Sequence, residues 1–599
     1  MHGDGGISAR GGSTARHMNV FINTIRVMAV SLPLMAGRPA LAGPEPWFMD
    51  VSSASGLDFV HFNGMSGAFY FAEMMGPGGA LFDYDNDGDL DIYLVQGAML
   101  GPGKTPADAL FPPPPGQPPG DRLYRNDLKT GADGRPALSF TDVTETAGIR
   151  APGYGMGVAT GDLDNDGWTD LYVTNFGHNQ LWRNNGDGTF SDWTERAGVD
   201  DARWSVSAAF LDYDRDGWLD LYVGNYVNFS IANHKRCQGN SSAQDYCSPL
   251  AYSPVPDRLF RNRGDGTFED VTARSRIIRE FGGALGVVVG DFNGDGWPDL
   301  YVANDGTPNQ LWMNQGDGTF RNDALLAGAA VNMEGNAEAS MGVDAADFDG
   351  DGDEDLFMTH LLGETNTVYV NDGEGWFEDR SLATGLAAPS KGYTSFGTGW
   401  FDYDNDGWLD IFIANGEVKT IPALAKAGDP YPLHQPNQLF RNVQGRGFEE
   451  VSARAGPAFA VSEVSRGAAF GDVDNDGDTD ILVLNNNGPV RLLINEVGNR
   501  NPWVGLRLVD RHGRDALGAR VGVYRGAGSR VLWRRVRTAG SYASANDPRV
   551  LVGLGEGGGP VRVEVAWPAG GRERWEGLAP GRYWTLHQGA GEEVGVSHE

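Results

Sequence analysis

Cysteine is nearly missing from this chain: two occur among 599 residues, Cys237 and Cys247. That number and spacing exclude a zinc cluster and a redox C-x-x-C pair. In an exported chain the two would form one disulfide closing a short loop; otherwise they would be two free thiols. Long apolar runs are missing too, since Val27 to Met35 is roughly half of a bilayer span. Catalytic signatures are also missing. None of the ten histidines sits in H-E-x-x-H, and no G-x-S-x-G elbow or P-loop is present. His61, His178, His234 and His360 remain as residues that could line a face, where lone histidines are ordinarily polar surface. Positive charge is scarce: 47 Lys and Arg oppose 80 Asp and Glu, for a net −33. Such a chain repels bare nucleic acid and anionic membranes and favours cations or cationic partners. The 87 glycines follow no Gly-X-Y period, which excludes collagen, and 11% aromatics exclude disorder.

The charge is uneven. Residues 499–599 hold 15 Arg, no Lys and 10 acids, a surplus of five positive charges that leaves −38 on the remainder. Two units with different roles are expected. At the other end, Arg26, the apolar stretch and Ala40-Leu41-Ala42 read as a signal peptide over residues 1–42, with Met18 as an alternative start. A secreted or periplasmic location follows, with no stable membrane insertion after cleavage.

What the chain does have is one nine-residue string, D-x-D-x-D-G-x-x-D, seven times over. The first copy carries Asp83, Asp85, Asp87, Asp89 and Asp91 at positions one, three, five, seven and nine. The second has Asp162, Asp164, Asp166, Trp168 and Asp170; the third Asp212, Asp214, Asp216, Trp218 and Asp220. The fourth departs, with Asp291, Asn293, Asp295, Trp297 and Asp299. Then come Asp347, Asp349, Asp351, Asp353 and Asp355; Asp402, Asp404, Asp406, Trp408 and Asp410; and Asp472, Asp474, Asp476, Asp478 and Asp480. The starts lie 79, 50, 79, 56, 55 and 70 residues apart.

Carboxylates at alternate positions converge only if the backbone wraps around one point, and the sixth-position glycine permits that turn. Packed carboxylates repel unless a cation neutralises them, and an all-oxygen shell suits Ca²⁺ better than Mg²⁺, which keeps its waters. Position seven would contribute its backbone carbonyl. Up to seven Ca²⁺ ions are therefore expected, the Asn293 loop being the weakest. An EF-hand is excluded, because position twelve is Leu94, Val173, Val223, Val302, Met358, Ile413 or Val483 instead of Glu.

Position nine opens an apolar run such as Leu171-Tyr172-Val173, and a second string follows, for example Leu181-Trp182-Arg183-Asn184 with Gly186-Asp187-Gly188-Thr189-Phe190. Each repeat thus reads as four strands: into the acidic loop, out of it, then a hairpin. That is the blade of a β-propeller. The seventh repeat lacks its last strand, and Phe48-Met49-Asp50-Val51 supplies the missing pattern at the other end. The repeats resemble the FG-GAP/VCBS family over residues 47–498, although the Phe-Gly and Gly-Ala-Pro signature is blurred to Gly282-Gly283-Ala284 and Phe396-Gly397. Three insertions, 97–120, 226–256 and 416–436, break the spacing.

Residues 499–599 change character. Trp503 to Leu508, Ala519 to Tyr524 and Val561 to Val565 alternate as strands, which predicts a small β-sandwich or barrel. Asp515-Ala-Leu-Gly-Ala-Arg520-Val, the Gly540-Ser-Tyr…Asn546-Asp547-Pro-Arg549 string and Val565-Ala-Trp-Pro-Ala-Gly resemble the ASPIC/UnbV domain. Together the two parts resemble the cartilage acidic protein 1-like family, which implies secretion, calcium binding and extracellular interaction but no established catalysis. Asp515, Arg520, Asn546, Asp547 and Arg549 could bind a polar ligand or merely cap turns, and the arginines could dock this unit on the acidic one. The fold expected is all-β: a seven-bladed propeller with calcium loops, then a small C-terminal β domain. The expected role is a binding or adhesion module for an unidentified extracellular protein or glycan. The rival reading is an extracytoplasmic polysaccharide hydrolase or lyase with its site in the propeller funnel.

Overall fold

The computed structural model describes residues 45–131, 136–239, 244–526 and 528–594. The expected signal peptide lies outside them. Pro46–Glu599 forms one compact unit, and it is all-β with a few single-turn helices.

Each acidic repeat folds as one four-stranded antiparallel sheet whose strands follow chain order. In repeat 2 these are Gly155–Gly161, Asp170–Asn175, Gln180–Asn184 and Phe190–Asp192. The first two are buried along their whole length, whereas the third leaves Gln180 and Arg183 partly exposed. Among the described residues there are seven such sheets. The seventh takes its outer strand from Phe48–Asp50, which pairs with Leu493 to Asn495. The first strands pack side by side in the order of the repeats, and that of repeat 7 lies against that of repeat 1. The sheets therefore close a ring.

A belt of asparagines ties the ring together. The asparagine ending each third strand donates its side-chain amide to a carbonyl in the preceding repeat. Asn184 reaches Tyr84, Asn262 reaches Leu163 and Asn314 reaches Tyr213. Asn371 reaches Phe292, Asn442 reaches Phe348 and Asn495 reaches Tyr403. Asn126 completes the circle at the Val473 carbonyl, 3.0 Å away. All seven amides are buried, and each such bond contributes a net ~0.5–1.5 kcal/mol.

The C-terminal part is a sandwich. A three-stranded sheet (Val550–Gly553, Trp503–Val509, Tyr583–His587) packs on a five-stranded one built around Arg520–Tyr524 and Val561–Ala566. Burial alternates along Val561–Ala566, with Val561, Val563 and Val565 inward.

The Gly540 to Asp547 loop of this sandwich runs into the middle of the ring and fills it. The Ala543 carbonyl accepts from Val158, the Ala545 carbonyl from Leu81 and the Ser541 carbonyl from Val343, all at 3.0–3.1 Å. Tyr542 is fully buried, donates its hydroxyl to the Met75 carbonyl at 2.8 Å and meets Phe396 edge-on. Beyond the tip, the three insertions converge on one apolar cluster that holds Leu100, Tyr226, Phe229, Tyr246, Tyr252, Tyr431 and Leu433 together with Tyr542. Residues 97–120 are thus anchored as well as exposed.

Room for the plug comes from small residues. An added Cβ at Gly78 would lie 1.8 Å from the Ala543 carbonyl oxygen, and one at Gly157 2.7 Å from the same atom. In repeat 3 the corresponding residue is Ser207, whose hydroxyl accepts from the Ala543 amide at 3.1 Å.

Candidate metal centres

Each acidic loop joins the first two strands of its sheet, and its carboxylates divide the work by position. The first-position Asp folds the loop: Asp162 accepts the amides of Asp166 and Gly167, and Asp472 those of Asp476 and Gly477. The fifth-position Asp accepts the seventh-position amide, as Asp216 does from Trp218 and Asp87 from Asp89. The fourth position is left-handed in every loop, which suits Asn and Gly; Arg215 is the one strained occupant.

The ninth-position Asp is a latch. Both of its oxygens accept backbone amides, one from the loop and one from the end of the third strand. For Asp91 the donors are Tyr84 and Asn126; for Asp170, Leu163 and Asn184; for Asp410, Tyr403 and Asn442. Asp220, Asp299, Asp355 and Asp480 repeat the pattern.

The third position differs. Asp85, Asp164, Asp214 and Asp404 each keep one buried oxygen with no hydrogen-bond partner in the protein. In the same loops, oxygens of positions one, three and nine lie within 4.8 Å of one another, as do those of Asp347, Asp349 and Asp351. Buried, clustered carboxylates resist ionisation. Burial raises Asp83, Asp162, Asp212, Asp347, Asp349 and Asp404 to about 6, Asp472 to about 7 and Asp474 to about 8. An all-oxygen donor set with orphaned buried oxygens fits a hard cation, which would supply the charge these groups lack. At the variant third position Asn293 accepts the Asp295 amide through its oxygen at 3.1 Å and donates its own amide to the Asp295 carboxylate at 2.9 Å. Of the seventh-position residues, Trp168, Trp218, Trp297 and Trp408 lay their indoles against hairpin glycines Gly186, Gly264, Gly316 and Gly445.

An arginine two residues into the Trp-Arg-Asn or Phe-Arg-Asn end of the third strand was not anticipated. Arg183 grips Asp164 at 2.7 Å and also Asp166; Arg261 grips Asp214 at 2.5 Å and also Asp216. Arg441 lies 3.4 Å from Asp404 and 3.3 Å from Asp406. Repeats 4, 5 and 7 have Met313, Val370 and Ile494 there. The recurrence of Arg in this string was the available signal.

The sandwich covers the same face. Arg507 approaches Asp83 to 4.0 Å, Arg215 reaches the Pro568 carbonyl at 3.0 Å and Arg535 pairs with Glu354 at 2.5 Å. Arg520 donates to the Gly352 carbonyl and Arg530 to that of Gly407, while Tyr583 donates to Asp472 at 2.8 Å.

Family models agree with this architecture. The FG-GAP-like repeat model matches residues 83–173, 162–223, 248–302 and 291–358, and the ASPIC and UnbV model matches 509–593. The chain belongs to the family that joins FG-GAP repeats to an ASPIC/UnbV domain. It is 27% identical to cartilage acidic protein 1 of Homo sapiens over 349 residues, covering 56% of this chain and 49% of that protein. Against the Xenopus tropicalis protein it is 27% identical over 302 residues, covering 49% and 43%. The chain thus spans about half the length of the curated relatives it matches. A solved structure titled for recognition of non-reducing terminal N-acetylglucosamine by an Agrocybe aegerita lectin covers 63% of this chain and 90% of that one. Its identity is 16% and its TM-score 0.33, too low to carry an argument.

The remaining candidates in this FG-GAP and ASPIC/UnbV chain are placed as follows. Cys237 and Cys247 form a disulfide. His61 and His360 line no open face: both are buried, and desolvation lowers each to about 3. His178 pairs with Asp200 on the surface. In the ASPIC/UnbV domain, Asp515 holds Arg507, Asp547 holds Arg549, and Asn546 accepts the Phe470 amide. Arg549 also reaches the Asp472 carbonyl at 2.8 Å. These residues cap turns and dock the domain on the repeats.

Proposed function

We propose that this chain is an exported, calcium-stabilised seven-bladed β-propeller (residues 47–498) capped by an ASPIC/UnbV domain (499–599), and that it serves as an extracellular binding or adhesion module. The observation that carries the calcium reading is the buried third-position oxygen without a partner, repeated at Asp85, Asp164, Asp214 and Asp404. The first- and third-position carboxylates would hold the ion, with the seventh-position carbonyl, and the ninth would brace them. Up to seven ions are proposed, with the Asn293 loop binding most weakly.

Extracellular placement is supported by the disulfide and by the relatives. Among the described residues no helix is long and apolar enough to cross a membrane. Binding is favoured over catalysis because a funnel enzyme needs an open funnel. Here Gly540 to Asp547 occupy the axis and the aromatic cluster closes its far end. Partner contact is assigned to the insertions 97–120, 226–256 and 416–436, which lie away from the face the ASPIC/UnbV domain covers and carry the exposed Leu110 and Leu250. The partner is an extracellular protein or glycan.

Calcium titration of the chelator-stripped protein by calorimetry, with melts at both end points, tests the metal reading. Several sites and a large upward shift are expected, since each independent site at 100-fold excess over Kd adds ~2.7 kcal/mol. No binding and an unchanged melt would refute it. Glycan and protein arrays run beside a hydrolase and lyase panel separate binding from catalysis.

A further inference from the structure

Between the acidic loops of repeats 1 and 2 and the ASPIC/UnbV domain lies a cavity of about 280 Å³. Asp83, Thr160 and Asp162 wall it from the ring; Arg507, Arg514 and Tyr583 wall it from the domain. Most polar groups here are matched. Arg507 donates through Nε to Asp515 at 2.9 Å, and Tyr583 donates to Asp472.

Two are not. Arg514 is 7% exposed, donates through Nε to Asp510 at 3.0 Å and lies in the field of Asp162, Asp212 and Asp216; among the described residues its terminal nitrogens donate to no protein atom, and Nη1 is buried. Thr160 is wholly buried, and its hydroxyl has no partner. Buried donors without acceptors are costly, and most of all when one of them is a guanidinium. A guanidinium fork fits a planar carboxylate or a tetrahedral oxyanion.

We propose that this cavity binds a small oxyanion, anchored by Arg514 and assisted by Thr160 and Arg507. Asp83 and Asp162 are first-position residues of two proposed calcium loops, so the strength of binding rests on the calcium reading. Cations in those loops neutralise the negative side of the cavity and leave its arginines to act on the anion.

The test is calorimetry of the full chain with sodium malonate, sodium sulfate and sodium chloride, each in calcium and in chelator. Malonate or sulfate is expected to saturate one site per chain, about tenfold or more tightly in calcium, while chloride does not. Arg514→Gln weakens it by about tenfold or more, the loss of charge-assisted bonds. Thr160→Val, which removes only a hydroxyl, weakens it several-fold and is the second variant should Arg514→Gln fold poorly. Preference for malonate assigns a carboxylate ligand, and preference for sulfate a sulfate- or phosphate-ester ligand. Absence of saturable binding in calcium, or binding that neither variant changes, overturns the proposal. Calcium is titrated separately: calcium binding without anion binding removes this site alone, whereas Arg514-dependent anion binding without calcium binding removes the calcium reading alone.

Discussion

Replacing Phe48 by alanine tests whether the N-terminal strand holds the ring shut. Phe48 is fully buried, with ring centroids 6.4 Å from Phe401, 6.4 Å from Tyr403 and 5.6 Å from Phe459. Its strand is only three residues long and pairs with Leu493 to Asn495, and this side chain is its buried apolar anchor. Trp47 stacks on Tyr403 at 5.4 Å and Asp50 pairs with Arg491 at 2.9 Å, contacts nearer the surface and worth less. Truncating a buried Phe costs ~3–5 kcal/mol. With an unfolding entropy of ~2.1 cal/mol/K per residue, a ring of this length converts that into a melting temperature about 3–5 °C lower. Neighbouring Met49 is 45% exposed and points the other way, so Met49→Ala should change stability by less than about 0.5 kcal/mol. Thermal melts by circular dichroism, in calcium and in chelator, compare the two. If both variants melt with the parent, or both fall equally, the strand does not close the ring and the reasoning fails.

The plug makes Gly78→Ala strongly destabilising, by about 1–3 kcal/mol or more, because the new methyl lies 1.8 Å from the Ala543 carbonyl oxygen. Gly392→Ala, with nothing within 4 Å, should be nearly silent in the same melt. Arg183→Met removes a bound guanidinium from Asp164 and Asp166, so one calcium site should tighten by about tenfold in calorimetry; an unchanged site would show that the arginine does not compete with the metal, and a weaker one that it assists it. With Asp83, Asp162, Asp212, Asp347 and Asp404 raised to about 6, the folded state holds protons that the unfolded state releases. Stability in chelator therefore falls as pH rises through about 6, and melts should be higher at pH 5 than at pH 8. In calcium the order should reverse, because the ligands must be deprotonated to bind. A chelated protein that melts higher at pH 8 would contradict the burial argument.

The repeats were legible because their signals are local. Nine residues of Asp spacing define each loop, and a missing Phe-x-Asp-Val strand after repeat 7 pointed to Phe48–Asp50. The plug was not. Gly-Ser-Tyr-Ala-Ser-Ala-Asn has neither helical nor strand period, and its partners lie hundreds of positions away. Its trace was on the other side of the contact. The residue five before each first-position Asp is Gly78, Gly157, Ser207, Gly286, Gly342, Gly397 or Gly467, small in every repeat. Gly286, Gly342 and Gly397 give their space to the neighbouring strand instead of the plug. The two free donors beside the cavity, Arg514 and Thr160, carry no sequence signal, because only the docked domain brings them together.

The closing strand and the axial plug come from segments far apart in the sequence, and this sets the order in which the ring can be completed. Ser52 receives the amide of Leu492 across 440 residues, and Ser544 receives that of Gly79 across 465. During synthesis the first six sheets can form one after another, but the inner face of the first, lined with glycine, stays uncovered until a segment 465 residues further along is made. Non-local joints of this kind are slow to form, and the uncovered strand edges are open to wrong partners meanwhile. The molecule thus locks late and all at once, when residues 491–495 meet the N-terminal strand and residues 540–547 enter the axis.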